Sequence, residues 1–364
     1  MTKVSAREVW ERKGLRGKFF WVLLLPVAFF YAVIVQLRNA LFTLGWAKSV
    51  RLSKPVVSVG NLTVGGTGKT PTCLWLAGAL NSRGFNVGIL SRGYRRAETR
   101  PIVMQPSQDE IPPSARIAEV SETGDEPLMM AQLYGQTVAV GKNRGEAAAE
   151  LLRQRNVDVF ILDDGFQHRR VQRDIDLLLL GSDASGWLLP AGPFRESLRN
   201  HRRADFFLVT GANSEWNSII PSNRAQHRFV GSLRPISLIS LSSQRRKEFP
   251  LTLLYRSKIL TVTGIADPRG LYGLIHEWEG EIVDTLEFPD HHTYTARDWQ
   301  QINRVGRLAD LIITTEKDIL KLVRFPFAKD KLLALRVAMS VENDAALIEA
   351  IVERINQARS GAKA

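Results

Sequence analysis

A glycine-rich segment, Gly65-Gly66-Thr67-Gly68-Lys69-Thr70, has the residue types and spacing of a loop that binds nucleotide phosphates. Glycines let successive backbone N–H groups turn toward one phosphate, and a helix that begins at the end of the loop adds partial positive charge. In such a loop Lys69 bridges the β- and γ-phosphates, and the hydroxyl of Thr70 holds Mg²⁺. The segment therefore predicts phosphoryl transfer from ATP.

The loop departs from the usual pattern at one position. The usual first glycine, five residues before Gly68, is Thr63 in this chain. The segment is therefore similar to the double-glycine variant of the loop. We expect nucleotide contacts from this segment and the two residues before it: Thr63, Val64, Gly65, Gly66, Thr67, Gly68, Lys69 and Thr70.

A pair of acidic residues, Asp163-Asp164, follows the buried-strand candidate at residues 157–162. Carboxylates at the carboxyl end of a parallel strand are where this kind of fold places a Mg²⁺ ligand. Asp pairs also end strands simply to begin turns. Because the pair accompanies a phosphate-binding loop, we expect Asp164 to bind Mg²⁺, with Asp163 supporting it or placing the ammonium group of Lys69.

The elements that must position these residues predict an α/β fold. Residues 55–60 have the pattern of a buried strand and residues 70–80 that of a helix, which places the glycine-rich loop between them. Alternating strands and helices predict a parallel sheet of the P-loop NTPase type, with helices on both faces. Further strand candidates are residues 87–91, 137–140, 176–180, 206–210, 260–264 and 311–315.

The N-terminal residues predict contact with a membrane. Basic residues precede an uncharged run at residues 19–37, which is just long enough to cross a bilayer as a helix. The positive-inside rule would then export the rest of the chain, away from ATP. We therefore expect a segment that dips into or lies along the cytoplasmic face, with Pro26 able to kink it. A buried core helix and a crossing with the N-terminus outside are the alternatives.

The net charge of +12 implies an anionic partner, which could be nucleic acid, an anionic membrane surface or a phosphorylated substrate. Many basic residues flank the apolar run and are not interleaved with an aromatic platform, so we expect a membrane and no nucleic acid. The single Cys73 excludes an intramolecular disulfide and a multi-cysteine metal site.

Seven stretches, spread in order along the chain, resemble the tetraacyldisaccharide 4′-kinase family. They are VGNLTVGGTGKTP (59–71), SRGY (91–94), GDEP (124–127), DDGFQHRR (163–170), PAGPFRES (190–197), FPDHHTY (288–294) and TEKD (315–318). The resemblance implies ATP-dependent phosphorylation of the 4′-hydroxyl of a tetraacylated glucosamine disaccharide 1-phosphate, giving lipid IVA in lipid A biosynthesis. It also implies a monomer on the anionic cytoplasmic face of the bacterial inner membrane.

By resemblance, Asp125 of GDEP is the catalytic base and His291 of FPDHHTY pairs with it. From the residues alone, GDEP is equally a helix start with Pro127 at the first helical position. His292 is the adjacent competitor for the pairing. Sequence alone leaves both alternatives open.

The resemblance implies further site residues. Glu196 corresponds to a family position near the metal, and Arg92 and Arg144 to arginines near the phosphates. Gln167 and Asn39 are weaker correspondences. The TEKD stretch is primarily interpreted as the N-terminal cap of a helix at residues 319–323. The sequence GIADP (264–268) departs from the GIGNP-like loop expected of the family.

Three segments are predicted as domains. Residues 1–50 form the basic N-terminus and membrane-associated helix, residues 51–245 the P-loop kinase domain, and residues 246–364 a smaller α/β domain that contributes to the active-site cleft. The alternative functions are a GTPase or ATPase switch, a metallochaperone-like protein, and a nucleic-acid-binding ATPase. A guanine-specificity motif and a His/Cys cluster are missing from the sequence, which disfavours the first two.

Overall fold

The computed structural model describes residues 6–94, 96, 100–105, 122–211, 215–220, 224, 227–241, 246–328 and 331–361. The chain divides into two compact units. Unit 1 comprises Met1–Lys69, Asp158–Ser232 and Val341–Ala364, and unit 2 comprises Thr70–Val157 and Leu233–Ser340. Each unit is assembled from separate stretches of sequence, whereas the predicted domains are contiguous. The predicted boundaries stay a prediction.

Helices and strands alternate through most of the chain. The helices are α1 (Ala6–Trp10), α2 (Gly14–Thr43), α3 (Lys69–Asn81), α4 (Asp125–Gln132), α5 (Arg144–Gln154), α6 (Trp216–Ile219), α7 (Arg269–Glu277), α8 (Ala296–Val305), α9 (Glu316–Leu322) and α10 (Asp344–Gly361). The strands are β1 (Val56–Asn61), β2 (Val87–Ser91), β3 (Ile102–Met104), β4 (Val138–Val140), β5 (Val159–Asp163), β6 (Ile175–Leu180), β7 (Phe206–Val209), β8 (Arg228–Leu241), β9 (Arg246–Phe249), β10 (Lys258–Thr263), β11 (Glu281–Glu287), β12 (Leu311–Thr315) and β13 (Leu332–Val341).

In unit 1, strands β5, β1, β6, β7 and the start of β8 pair in that order, all parallel. Every residue of β1, β5, β6 and β7 is buried, as expected of a parallel sheet covered on both faces. Val59 of β1 is in register with Asp163 of β5. The carboxyl ends of these two strands therefore bring the glycine-rich loop and the acidic pair to the same edge of the sheet.

Unit 2 contains two groups of paired strands. Strands β11, β10, β12 and β13 pair in parallel, and β2 and β4 pair in parallel with β3 antiparallel to β4. Buried aliphatic and aromatic side chains, including Leu128, Val262, Tyr294 and Ile319, form one core cluster of this unit. The cluster includes residues of helices α4 and α9, which begin within the GDEP and TEKD stretches, so both helices pack into the same core.

Two glycines from the SRGY and GDEP stretches lie against each other in unit 2. Gly93 has φ +64° and Gly124 has φ +92°, in the left-handed region that favours glycine. A Cβ at Gly93 would clash with the side chain of Val140 and lie 2.7 Å from the carbonyl oxygen of Thr123, and one at Gly124 would lie 3.3 Å from the Cα of Gly93. These two loops approach each other this closely because both residues lack a side chain.

We expect Gly93→Ala to destabilise the protein by roughly 2–4 kcal/mol, the sum of left-handed strain and overpacking. The measurement is the midpoint of urea unfolding. Gly78→Ala is the matched control, because Gly78 lies in α3, is exposed, and has no atom within 4 Å of an added Cβ. The free energy of unfolding of the control variant should rise by about 0.5–1 kcal/mol, because Ala is favoured over Gly inside a helix. Equal midpoints for the two variants would contradict the argument.

Helix α2 is long, apolar and largely exposed. An 18-residue window in it has a mean hydropathy of 2.3, and 6% of that window is buried inside the protein. The alternative of a buried core helix is therefore wrong. At 1.5 Å per residue the helix is about 45 Å long, which exceeds the roughly 30 Å hydrocarbon core of a bilayer. Its exposed apolar side chains include Phe19, Leu23, Val27, Phe30 and Ile34.

The carboxyl-terminal part of α2 is attached to the rest of unit 1 by polar contacts. The hydroxyl of Tyr31 donates to the carbonyl oxygen of Arg195 at 2.8 Å, and Arg38 donates to that of Gln167 at 2.6 Å. Arg169 in turn donates to the carbonyl oxygen of Asn39 at 2.7 Å. The helix is therefore fixed to the DDGFQHRR and PAGPFRES stretches along one face.

Candidate active site

The glycine-rich loop connects β1 to α3, as predicted. Gly65 and Gly68 have φ +118° and +83°, which favours glycine at both positions. Gly65 and Gly66 are exposed, and a Cβ added to either would meet nothing within 4 Å. The loop therefore presents an open backbone surface next to a helix N-terminus, the arrangement that binds phosphate.

The ammonium group of Lys69 lies over this loop. Its Nζ is 3.4 Å from Oδ1 of Asn61, 3.4 Å from the carbonyl oxygen of Gly65 and 3.9 Å from a carboxylate oxygen of Asp164. The side chain is only 14% exposed. The positive charge of Lys69 therefore lies beside the loop, where it can bind a phosphate group by a charge-assisted hydrogen bond.

Polar contacts within unit 1 hold the loop in shape. Asn61 donates from Nδ2 to the hydroxyl of Thr67 at 2.8 Å, and the hydroxyl of Thr210 donates to the carbonyl oxygen of Thr67 at 3.1 Å. Thr63, at the position of the usual first glycine, is 5% exposed and forms an antiparallel bridge with Phe194. The next residue, Val64, donates its N–H to the carbonyl oxygen of Pro193 at 2.8 Å. The start of the loop is therefore paired with the PAGPFRES stretch, and nucleotide contacts from it stay a prediction.

The acidic pair lies at the end of β5. Asp163 is buried, and Asp164 follows it with φ +51°, an uncommon conformation for a residue other than glycine. The next residue, Gly165, has no room for a side chain, because an added Cβ would lie 2.7 Å from the hydroxyl oxygen of Ser58. Both carboxylate oxygens of Asp164 accept hydrogen bonds from Nη1 of Arg195, at 2.8 and 2.7 Å. Arg195 and Lys69 therefore converge on Asp164.

Glu196 is fully buried in unit 1, at 1% exposure. Both of its carboxylate oxygens accept hydrogen bonds, and the donors are side chains of Asn39, Gln167, Asn200 and Arg203 at 2.6–3.1 Å. Arg203 also lies over the ring of Phe166, 4.5 Å from its centroid. These contacts make Glu196 the centre of a buried polar network.

The donor chemistry in part fits a Mg²⁺ ion. Mg²⁺ prefers oxygen ligands and is usually held by one or two carboxylates together with substrate phosphates. Asp164 fits, because its side chain is 36% exposed, and Asp163 adds a carboxylate next to it in sequence. The saturated carboxylate of Glu196 does not fit. Among the described residues, groups of three or more His, Cys, Asp or Glu side chains that could hold a metal are absent.

In unit 2, Asp125 and His291 form a close pair. Nδ1 of His291 lies 2.8 and 2.9 Å from the two carboxylate oxygens of Asp125. Asp125 is the first residue of α4, two positions before the predicted first helical residue Pro127, and is 6% exposed. His291 has φ +60°, a strained backbone conformation, and its N–H donates to the carbonyl oxygen of Gly264 at 3.1 Å.

The protonation of this pair is strongly perturbed. Burial raises the pKa of Asp125, but the hydrogen bond with His291 and the positive charges of Lys321, His291 and Lys317 outweigh it, so the net pKa lies below its usual range. The hydrogen bond to Asp125 raises the pKa of His291, partly opposed by burial. The ion pair of carboxylate and imidazolium is therefore the favoured state.

The adjacent histidine has different partners. Nε2 of His292 lies 3.0 Å from Oδ2 of Asp298, the residue that caps α8 together with Thr295. Its ring stacks on Phe288 at 4.8 Å between centroids. The structure thus brings His291, and not His292, to Asp125, while the catalytic role of His291 stays a prediction.

The remaining predicted residues are dispersed. Arg92 is exposed after β2, whereas Arg144 is buried at the first position of α5. Gln167 donates from Nε2 to the carbonyl oxygen of Asn61 at 2.7 Å, next to the glycine-rich loop. Sequence reasoning missed Arg195 and Lys321, although both lie in or beside stretches it singled out. The position of Arg195 next to the candidate Glu196 was the available signal for that residue, whereas the sequence offered none for Lys321.

Comparison with known proteins identifies the family. Residues 20–356 match the profile of LpxK, described as tetraacyldisaccharide-1-P 4′-kinase. A tetraacyldisaccharide 4′-kinase of Syntrophus aciditrophicus is 37% identical over 338 residues, covering 87% of this chain and 88% of the relative. The corresponding protein of Herminiimonas arsenicoxydans is 33% identical over 360 residues, covering 96% and 94%.

The fold agrees with a solved structure. The crystal structure of LpxK from Aquifex aeolicus, described as an "apo" form in complex with ATP, superimposes with a TM-score of 0.74 at 29% identity, covering 92% of this chain and 99% of that one. These matches confirm the predicted α/β fold of P-loop type and the predicted kinase class. This chain belongs to the tetraacyldisaccharide 4′-kinase family.

Proposed function

We propose that this protein transfers the γ-phosphoryl group of ATP to the 4′-hydroxyl of tetraacyldisaccharide 1-phosphate, giving lipid IVA in lipid A biosynthesis. The observation that carries the proposal is the buried contact between Asp125 and His291. A sugar hydroxyl must lose its proton during transfer, and a carboxylate oriented by an imidazole is suited to accept it. A nucleotide switch, the alternative function, transfers the phosphoryl group to water and needs no sugar hydroxyl as acceptor.

The proposed reaction joins the 4′-oxygen to the γ-phosphorus and breaks the bond from that phosphorus to the bridging oxygen of ADP. The hydroxyl proton passes to Asp125. A base with a low pKa suffices, because the loose transition state makes the hydroxyl acidic only as the new bond forms. Lys69 and the N–H groups of the loop neutralise charge on the phosphates. Arg92 and Arg144 are proposed as further phosphate contacts.

Mg²⁺ would be held by Asp164 and Thr70, with Asp163 in support. The ion neutralises phosphate charge when it is bound. Arg195 and Lys69 hold the carboxylate of Asp164 in place from two sides. In this proposal Glu196 acts differently from the sequence-based expectation: it orients Gln167, which donates both to Glu196 and to the backbone of Asn61.

The proposed location is the cytoplasmic face of the bacterial inner membrane, where α2 inserts its exposed apolar side chains and the protein acts as a monomer. The acyl chains of the substrate lie in the bilayer, so an attached apolar helix brings enzyme and substrate to the same surface. Basic residues near the start of α2, among them Arg12, Lys13, Arg16 and Lys18, are suited to anionic headgroups.

We expect the double substitution Phe30→Gln and Ile34→Gln to move the protein from the membrane fraction to the soluble fraction. Both side chains are 65% exposed on α2, and their burial in lipid would contribute roughly 1.5–3 kcal/mol each. The measurement is flotation with anionic vesicles. The control replaces Val283 and Leu308, which are exposed apolar residues of unit 2, with Gln. Equal flotation of all three proteins would contradict insertion of α2.

The activity is tested by transfer of label from γ-labelled ATP to tetraacyldisaccharide 1-phosphate in detergent micelles. The expected product carries label at the 4′ position. Hydrolysis of ATP without labelled lipid would favour the switch, and hydrolysis stimulated by nucleic acid would favour the nucleic-acid-binding ATPase.

A further inference from the structure

The TEKD stretch does more in unit 2 than begin a helix. The predicted cap is confirmed, since Thr315 is the N-cap of α9 and its hydroxyl accepts from the N–H of Asp318 at 3.2 Å. The carboxylate of Asp318 is fully buried. Its Oδ2 accepts from the N–H of Gly264 at 2.9 Å and from the hydroxyl of Thr315 at 2.7 Å. Asp318 is therefore held rigidly from two loops.

The other carboxylate oxygen of Asp318 faces Lys321, one turn later on α9. Nζ of Lys321 lies 3.0 Å from Oδ1 of Asp318 and 3.5 Å from Oδ2 of Asp125. The lysine side chain is 9% exposed, and its Nζ is 5.7 Å from the centre of the Tyr294 ring. A buried ammonium group thus bridges two buried carboxylates, one fixed by backbone and the other paired with His291.

A purely structural role would need only one of these carboxylates. Asp318 alone would pair the buried ammonium group, as an i,i+3 partner on the same helix. The second carboxylate, Asp125, comes from α4, which is far away in sequence. Lys321 is therefore placed where its charge acts on the proposed proton acceptor in a dry environment, in which such interactions are strong.

We propose that Lys321, held by Asp318, is a positioning residue that keeps the Asp125 carboxylate ionised and in one orientation. This inference rests on the proposed function, because it takes Asp125 as the proton acceptor. The charged groups that face Asp125 are His291, Lys321 and, at longer range, Lys317, which pairs with Glu126 at 3.0 Å. Asp318 and Tyr294 face Lys321 from the opposite side.

The proposal predicts a loss of activity that depends on pH. Asp125 acts in its ionised form, so activity falls as the pH drops through its pKa. A positive charge within about 4–6 Å lowers a carboxyl pKa by roughly 1–3 units, and its removal moves the acid limb of the profile to higher pH. Replacement of Lys321 should therefore lower the activity most at low pH and least at high pH.

The test compares pH profiles of kcat/KM for the full-length protein and the variants Lys321→Met, Lys321→Arg and Asp318→Asn. We expect Lys321→Met to move the acid limb up by about one pH unit or more. It should lose roughly tenfold or more in activity at pH values on that limb and recover toward the wild type at high pH. Lys321→Arg keeps the charge and should keep the limb close to its wild-type position. The acid limb of Asp318→Asn should lie between those of Lys321→Met and Lys321→Arg.

An acid limb that stays at its wild-type pH in Lys321→Met would overturn the proposal. This holds whether kcat is normal or is reduced by the same factor at every pH. If Lys321→Met does not fold, a displaced limb in Asp318→Asn supports the proposal and an unchanged one overturns it. Asp125→Asn separates this inference from the proposed function. If that variant stays active, Asp125 is not the base; if it is inactive while the limb of Lys321→Met is unmoved, only the role of Lys321 falls.

Discussion

Asp125→Asn is expected to lower kcat by roughly 10²–10⁴-fold, the usual contribution of a positioned general base. The substitution keeps the shape of the side chain and removes its ability to accept the proton of the sugar hydroxyl. It also removes the anion that raises the pKa of His291, so the imidazole should then be neutral at physiological pH. Transfer of label from ATP to the lipid measures the loss.

Binding of the nucleotide should survive this change. We expect the KM for ATP to change by no more than about threefold, because an interaction confined to the transition state affects kcat and not binding. Glu122→Gln is the matched control, since Glu122 is an exposed carboxylate three residues earlier. A control that loses as much activity as Asp125→Asn, or an Asp125→Asn protein with normal kcat, would remove Asp125 from the mechanism.

Lys69→Met is expected to cost roughly 10²–10³-fold in kcat, the effect of deleting one preorganised charge aimed at the transferring phosphoryl group. Unlike the change at Asp125, this substitution should also weaken the binding of ADP and ATP. The reason is that Nζ of Lys69 lies over the glycine-rich loop, within 3.4 Å of Gly65. Calorimetric titration of ADP, alongside the labelled transfer assay, separates the two losses.

Lys258→Met controls for the loss of a lysine. Lys258 is exposed at the first position of β10 and should leave kcat and ADP affinity at wild-type values. Unchanged ADP affinity in Lys69→Met would show that the lysine does not contact the nucleotide in its ground state. Unchanged kcat as well would remove the glycine-rich loop from catalysis.

The short buried strands were predictable from sequence. Strands β1, β2, β5, β6, β7 and β12 lie within two residues of their predicted positions. Each contains three or more Val, Ile, Leu or Phe residues within a short segment, and such a segment has few alternatives in a parallel sheet. The glycine-rich loop was predictable for the same local reason, since its conformation depends on glycines adjacent in sequence.

Longer strands and distant contacts were not predictable. Strand β8 covers Arg228–Leu241, and its burial changes along its length, so it has neither a continuous apolar run nor a regular alternation. The bond from Arg195 to Asp164 and that from Lys321 to Asp125 join residues far apart in the chain. Propensity and spacing describe neighbours in sequence, whereas these ion pairs depend on how loops are packed.

Glu196 shows how a motif can be recognised while the contacts of its residues go unpredicted. Its position in PAGPFRES marks it as important, and carboxylates near phosphate loops often bind metal. Only its surroundings reveal that amide and guanidinium donors saturate both oxygens. Sequence supplies the residue type, but the number of donors around it is a property of the folded chain.

The attachment of α2 through Asn39 has a practical consequence for making a soluble form of this enzyme. Removal of α2 would take away the Asn39 side chain that donates to the buried Glu196 and the Asn39 carbonyl oxygen that accepts from Arg169. Leaving a buried charge short of partners is costly. Helix α2 therefore contributes to the structure of unit 1, and solubility is better sought by replacing its exposed apolar side chains with polar ones than by deleting residues 31–43.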